Sequence, residues 1–471
     1  ENIRDYSLTA SLLKIINSIP RDLEGDVFGK VYEYFLGKFA SSEGKGGGEY
    51  YTPTSVVRLM VEMIEPYQGR ILDPACGSGG MFVQSADFVQ RSNDRPDRIS
   101  VYGIEKENET VKLARMNMFL HGLNGNIVQA NSYYSDPHNS FGTFDFVMAN
   151  PPFNVDDVSY DKVKDDPRFN TFGIPKNKTK SKSKDGETVP NANYLWINQF
   201  ATALNDTGRA ALVMASIATD AGKSEAEIRA RLVEDGIVSA MLSLPSNMFF
   251  SVTLPATLWF FDKARREDKR VLFINARNFY KQVDRAHREF TDEHIANLAC
   301  IRHLFQGDEA HWHLLMSHYD NRIHDLTAKY ESCVEERNAA TLEAETFLSE
   351  NPGKNLKTDI KRRIDAAEAA LAEAEKELNH ITSMRQWLID NFPGGKYRDV
   401  IGLCKAASIE EIREQDYSLN PGRYVGVSFD VEDLNDFRES MTSLKSELSD
   451  LNDSGKELMS RILSNLSQLG I

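Results

Sequence analysis

Between residues 70 and 148, short apolar runs take turns with helix-spaced ones, and that alternation leaves few folds open. Residues 70–73, 100–104, 126–128 and 144–148 read as strands, while 81–89 and 108–120 read as the helices between them. Further strands are expected at 210–214, 239–244, 257–261 and 270–274. Strands alternating with helices give a parallel sheet covered on both faces, so residues 50–280 should form an open α/β domain.

The flanks read differently. Apolar positions at helical spacing make 1–48 an N-terminal helical segment, ending in a flexible Ser/Gly-rich stretch over 41–48. After the α/β domain, taken as 49–300, comes a heptad seam of Ile360, Ile364, Ala367, Leu371, Ala374, Leu378 and Ile381. A rougher seam runs through Ile323, Leu326, Tyr330, Cys333, Ala340, Ala344 and Phe347, and Asn351-Pro352-Gly353 separates the two. An antiparallel helical hairpin over 301–395 is the simplest reading. The last region, 396–471, holds a third heptad run from Leu434 to Ile462. That run must bury its seam, either on its own domain or against another subunit.

Charge narrows the function. Lys and Arg number 55 against 70 Asp and Glu, a net charge of −15. A simple basic nucleic-acid glove is excluded, since neutralising phosphates needs a cationic surplus. The dense basic run is Lys176, Lys178, Lys180, Lys182 and Lys184, inside a segment (154–189) with no clear element of its own. It reads either as a solvated loop or as a nucleic-acid contact. The cysteines (Cys76, Cys300, Cys333, Cys404) are far apart, so no zinc site or disulfide framework is expected and a reducing cytoplasm suits the chain. No run of about 18 apolar residues suggests a membrane span.

Two motifs carry chemistry. Asp73-Pro74-Ala75-Cys76-Gly77-Ser78-Gly79-Gly80 follows a strand and opens a helix, where glycines let the backbone approach a ligand or simply make a tight turn. Phe82 stands where a dinucleotide fingerprint needs its last glycine. Glu105 ends the next strand, where a carboxylate can accept from both ribose hydroxyls of a nucleoside. The sharper motif is Asn150-Pro151-Pro152-Phe153, directly after a strand. The prolines stiffen the strand tip in the crevice where α/β sheets bind ligands. The Asn150 side-chain carbonyl and the Pro151 backbone carbonyl can grip both N–H bonds of an exocyclic amine. An adenine amino group is a poor nucleophile because its lone pair is delocalised, and accepting both protons favours a pyramidal nitrogen. Phe153 offers a face for an extruded base. No metal is required.

This set resembles the amino-methyltransferases that use S-adenosylmethionine, and within them the modification (M) subunit of type I restriction–modification systems. Gly48-Glu49-Tyr50-Tyr51-Thr52-Pro53-Thr54 looks like that family's upstream cofactor motif. Asn191-Ala192-Asn193-Tyr194-Leu195-Trp196 resembles the helix after the catalytic loop, and Ser243-Leu244-Pro245-Ser246-Asn247-Met248-Phe249-Phe250 resembles another family segment. Tyr417-Ser418-Leu419-Asn420-Pro421-Gly422-Arg423-Tyr424-Val425 resembles a stretch near the family's C-terminus. The resemblance spans 20–430 and is specific for 48–153.

The resemblance implies a Rossmann-like α/β methyltransferase domain dependent on S-adenosylmethionine, with N-terminal helices (a remnant of a larger helical domain) and a C-terminal helical, coiled-coil extension. Glu49, Tyr50, Tyr51, Thr52, Pro53, Thr54, Ala75, Gly77, Ser78, Gly79 and Gly80 would contact the cofactor, Asp73 would anchor that loop, and Glu105 would hold the ribose. Asn131 and Ser132 stand where the family often has an Asp contacting the cofactor's adenine. Asn150, Pro151, Pro152 and Phe153 would hold and activate a flipped adenine. The implied partners are duplex DNA, a specificity (S) subunit that reads the sequence, a second M subunit, and room for a restriction (R) subunit. Two rival readings stay open at this point: a protein methyltransferase acting on glutamine amides, and a non-catalytic cofactor-binding assembly protein.

Overall fold

The computed structural model describes residues 52–92, 96–176, 187–249, 255–284, 287–353 and 355–427, with Met441, Lys445 and Asn452 beyond them. The expected helices of 1–48, Lys178 to Lys184, and the terminal heptad run apart from Met441 lie outside the described residues.

The described strands form a nine-stranded sheet in the order β11-β8-β6-β7-β5-β4-β1-β2-β3. Its first half is β1 (Gly69–Asp73), β2 (Ile99–Glu105), β3 (Gly125–Gln129) and β4 (Phe144–Ala149), all parallel. Helices α1 (Thr54–Ile64), α2 (Gly80–Arg91) and α3 (Asn108–Leu120) accompany it. Building runs outward from β1 to β3, then restarts on the other side of β1 with β4, which pairs Ile71 with Phe146 and Leu72 with Val147. This reversal opens a crevice at the C-terminal ends of β1 and β4, the usual ligand position in such sheets.

The second half comprises β5 (Leu204–Ala215), β6 (Val238–Ser243), β7 (Ala256–Asp262) and β8 (Val271–Asn275), with helix α7 (Ser224–Glu234) between β5 and β6. Here the sheet departs from the all-parallel expectation: β7 runs antiparallel to both neighbours, β5 and β6. Residues 244–255 link β6 to β7, near the shortest length that a parallel crossover uses, and β7 returns in the opposite direction. Every residue of β7 is buried. A short β9–β10 ribbon (Lys281–Gln282, Arg288–Glu289) follows, and the last strand of the sheet, β11 (Cys404–Ala407), arrives from beyond the helical hairpin and lies antiparallel to β8.

Helix α8 (Asp292–Phe305) packs on α1 and carries the two long helices α9 (Glu309–Glu350) and α10 (Thr358–Asn391). At 42 residues, α9 extends about 63 Å at the standard rise. The two pack against each other, and every seam residue named above is buried or half-buried while most residues beside them are exposed. Polar bonds fix the hairpin base. Glu293 accepts from Arg322 Nη1 at 2.7 Å and His380 Nε2 at 3.1 Å, and Asn297 bridges the Tyr319 hydroxyl and the Met384 carbonyl. The stretch around Tyr417 is structural too. Its Leu419 N–H bonds the Thr219 carbonyl, and Tyr424 stacks on Phe273 at 3.8 Å between centroids. The described chain divides at Val425, with Gly426–Ile471 forming a second unit.

One half-buried carboxylate joins α1, β5 and α8. Glu65, the left-handed residue ending α1, accepts from Arg302 Nη1 at 2.7 Å and Arg209 Nη1 at 3.3 Å, with His303 at 3.4 Å. Burial alone would raise its pKa, but Arg302, His303 and Arg209 outweigh it and hold it below the usual carboxylate value. A group depressed in this way stabilises the fold above the ordinary carboxylate pKa. Glu65→Gln is therefore expected to cost about 3 kcal/mol at pH 7 by urea denaturation. The difference from the parent should shrink as pH falls through the folded pKa.

Candidate active site

The glycine turn bridges β1 and α2 through two residues in the left-handed region, Gly77 (φ 51°) and Gly79 (φ 83°). A Cβ at Gly79 would also lie 2.9 Å from Met118 Cε. The turn is held by backbone bonds from Cys76 N–H to the Ile104 carbonyl (3.0 Å) and from Gly79 N–H to the Cys76 carbonyl (2.8 Å). A Cβ built at Gly80 meets no atom within 4 Å, so the start of α2 is open to close approach at a helix N-terminus.

Two buried carboxylates organise this turn. Glu105 uses both oxygens: Oε2 accepts from Gly77 N–H at 3.1 Å and Oε1 from Glu107 N–H at 2.9 Å. Asp73 Oδ1 accepts from Ala75 N–H at 3.0 Å. Burial pushes the Asp73 carboxyl well above its usual value, against the pull of the Ala75 N–H and with a further push from Glu105. Burial, with Asp73 and Glu105, likewise raises the Cys76 thiol, which suits a packing role better than a reactive one.

The loop after β3 closes on the same turn. Ser132 Oγ donates to the Pro74 carbonyl at 2.5 Å, and Asn131 Oδ1 accepts from Tyr133 N–H at 3.1 Å. Both side chains that were expected beside an adenine are thus internally bonded, although an amide oxygen keeps a second lone pair.

Asn150 follows directly on β4, half-buried, and its Nδ2 donates to Thr52 Oγ1 at 3.2 Å. The fold therefore brings Thr52, 98 residues away, to the strand tip. Pro53 caps α1 and Thr54 begins it. Glu49, Tyr50 and Tyr51 lie outside the described residues. Pro151 is buried, Pro152 exposed, and Phe153 half-buried against both hydrophobic clusters.

Several supporting residues escaped the sequence reading. Gly103 sits where a Cβ would come within 2.6 Å of Ile127 Cδ1 and 2.8 Å of Cys76 Sγ, so glycine lets β2 pass under the turn. Asn117 on α3, fully buried, donates to the Ser78 carbonyl at 3.0 Å. The segment 154–189, read as lacking elements, carries two four-residue helices, α4 (Tyr160–Val163) and α5 (Pro167–Asn170). Arg168, buried and paired with Asp166, reaches the Ser132 and Ser135 carbonyls at 3.0 and 3.3 Å. That ties this segment to the loop after β3. Nothing local in the sequence signals these roles, because each depends on a partner far along the chain.

The sequence family described as N-6 DNA Methylase matches residues 23–322 and 354–433, most of the chain. The chain belongs to that family. Within it, the chain is similar to the methylase subunit of the type I restriction enzyme MjaIX from Methanocaldococcus jannaschii. The two are 32% identical over 469 residues, spanning 99% of this chain and 67% of that protein. The HindI methylase subunit of Haemophilus influenzae is 30% identical over 447 residues, 94% of this chain and 79% of that one. The crystal structure of a type I restriction–modification methyltransferase subunit from Streptococcus thermophilus superposes with a TM-score of 0.59 at 24% identity, covering 89% of this chain and 68% of that one. The Rossmann-like α/β fold and the recognition of a type I methylase subunit both stand, and the chain is an N-6 DNA methylase.

Asp73 offers a test of the turn. Asp73→Asn keeps an acceptor for Ala75 N–H while removing a carboxyl whose folded pKa is raised. The parent loses stability as pH rises from about 4, the ordinary Asp value, through the folded value. In cofactor-free protein the melting temperature of Asp73→Asn relative to the parent should therefore climb over that window. A relative fall with rising pH would mean that the carboxylate is favourably paired.

Proposed function

We propose that this chain transfers a methyl group from S-adenosylmethionine to the N6 amino group of adenine in duplex DNA, at sites chosen by a partner specificity subunit. The observation that carries the reading is the amide of Asn150. With Nδ2 engaged by Thr52, Oδ1 is the atom of that amide available to accept at the tip of β4.

The residues present fit the cofactor. Each Glu105 oxygen has one backbone N–H and a further lone pair for a ribose hydroxyl. The start of α2 is open at Gly80. Thr52 to Thr54, Asp73, Ala75, Gly77 to Gly80, Glu105, Asn131 and Ser132, with Glu49 to Tyr51 upstream, are the residues that would hold it. When bound, S-adenosylmethionine supplies an electrophilic methyl group on a sulfonium centre.

This chain's own part is to prepare the nucleophile. Asn150 Oδ1 and the Pro151 carbonyl accept the two N–H bonds of the adenine amine, which draws its lone pair out of the ring and toward the crevice. The proline pair keeps those acceptors from relaxing away, the kind of preorganisation that electrostatic catalysis needs. Phe153 presents an aromatic face to a base taken out of the helix. Such a substrate places the enzyme in the cytoplasm, and no helix among the described residues is long and apolar enough to cross a membrane.

The net charge of −15 leaves most DNA contact to a partner. The relatives are named methylase subunits of type I restriction enzymes, which supports work inside a complex; in this reading its other members are a specificity subunit and a second copy of this chain, open to a restriction subunit. The heptad run in 396–471 supplies the docking surface in this reading.

Two experiments test it. In the complex with its specificity partner, Asn150→Ala should lower methyl transfer to DNA by roughly 100-fold or more, followed with labelled S-adenosylmethionine. Parental activity in that variant would end the reading. Deleting 430–471 should abolish co-elution with the specificity partner in size-exclusion chromatography while cofactor affinity by calorimetry is kept; a truncated chain that still co-elutes would refute the docking role.

A further inference from the structure

Immediately after Phe153 the backbone makes an unusual turn. Asn154 has φ 58°, a left-handed conformation that Asn tolerates better than most residues with a Cβ and that a hydrogen-bonded hold would fix. Three asparagines supply one. Asn193 Oδ1 accepts the Asn154 backbone N–H at 2.8 Å, and Asn193 Nδ2 donates to Asn154 Oδ1 at 3.0 Å. Asn191 Nδ2 donates to the same Oδ1 at 3.1 Å, while Asn191 Oδ1 accepts Asn193 N–H at 2.8 Å. One residue further on, the Val155 carbonyl accepts from Ala192 N–H at 2.8 Å.

The side doing the holding is rigid. Asn193 is buried and begins helix α6 (Asn193–Ala203), every residue of which is buried. The side being held is the exit of the Asn150–Phe153 segment. Its entry is fixed by β4, and the latch fixes its exit together with the Val155 carbonyl bond to Ala192. A shift of the order of 1 Å at a reacting group can cost about 100-fold in rate. Pro151 is also buried and Phe153 packs against both hydrophobic clusters, and to that packing the latch adds a directional polar hold at the exit.

We propose that Asn154 is a positioning residue for methyl transfer: its side-chain oxygen, gripped by Asn191 and Asn193, locks the backbone after Phe153 and so sets the acceptors that receive the adenine amine. The inference rests on the function proposed above. It assigns the latch no contact with substrate or cofactor.

The chemistry of residue 154 makes the test specific. Glycine adopts the same φ without strain but has no side-chain acceptor. Aspartate keeps the acceptor and tolerates the left-handed region, as Asn does. Alanine loses the acceptor and adds strain. In the complex with the specificity partner, Asn154→Gly and Asn154→Ala should both lower kcat about 10- to 100-fold, with KM for S-adenosylmethionine unchanged, and Asn154→Asp should restore the parental kcat. Asn193→Asp, which turns a donor into a second acceptor against Asn154 Oδ1, should lower kcat alike. The Asn154→Gly/Asn193→Asp double variant should be no slower than the slower single, as expected for coupled residues.

Parental kcat in Asn154→Gly would overturn the latch and leave backbone conformation as the whole requirement. Loss of activity in Asn154→Asp equal to that in Asn154→Ala would overturn the acceptor role. Asn150→Ala run alongside separates the two levels: if it is inactive while Asn154→Gly is parental, the latch fails and the proposed function survives. If Asn150→Ala is itself active, the base-holding reading falls and the latch loses its purpose with it.

Discussion

Both oxygens of one carboxylate hold the crevice in shape. Glu105, at the end of β2, ties the Gly77 N–H of the preceding strand's turn to the Glu107 N–H of its own exit. Backbone N–H groups in a buried turn must find acceptors, and a carboxylate is a strong one. Once this bond is made, the direction of α2 follows, and Cys76 is pressed against Gly103 where only a missing Cβ leaves room. The loop after β3 then has a carbonyl, that of Pro74, to close upon through Ser132. The walls around the strand tips are consequences of that first attachment.

A second set of polar contacts works away from the crevice. Glu65 gathers Arg209, Arg302 and His303 where α1, β5 and α8 meet, and Glu293 gathers Arg322 and His380 where α8 meets the hairpin. Each is a buried or half-buried acid satisfied by several donors, the condition under which burying charge is tolerable. Through α8 the long helices are joined firmly to the sheet that carries the crevice. The stack of Tyr424 on Phe273 and the pairing of β11 with β8 add a third attachment from beyond the hairpin.

The strands at 100–104 and 144–148 were legible because each carries a short β-branched and aromatic run, and 210–214 because it is apolar throughout. The seams of α9 and α10 were legible because their period is carried by the chain itself. The glycine turn and Asn150-Pro151-Pro152-Phe153 were legible for a similar reason: a left-handed turn needs glycine, and a stiff strand tip needs proline. The same reading missed the direction of β7, since a strand's pattern is identical in either direction and only its pairing with β5 and β6 decides. It missed α4 and α5, whose four residues are too few to show a period. Asn191 and Asn193 stood inside a recognised stretch, yet their task depends on a partner 37 and 39 residues away.

The sequence by itself determined which segments are strands and helices, where the chain turns sharply, and that a cofactor-type turn and a carbonyl-bearing strand tip belong to one domain. These are local properties, fixed by periodicity, by φ and by the atoms of adjacent residues. The tertiary structure alone decided that Thr52 meets Asn150, that Arg302 reaches Glu65 across 237 residues, and that Asn154 is locked to α6. Those bonds depend on the order in which strands enter the sheet, and hydrogen bonds between distant residues leave no periodic mark on the segments that make them.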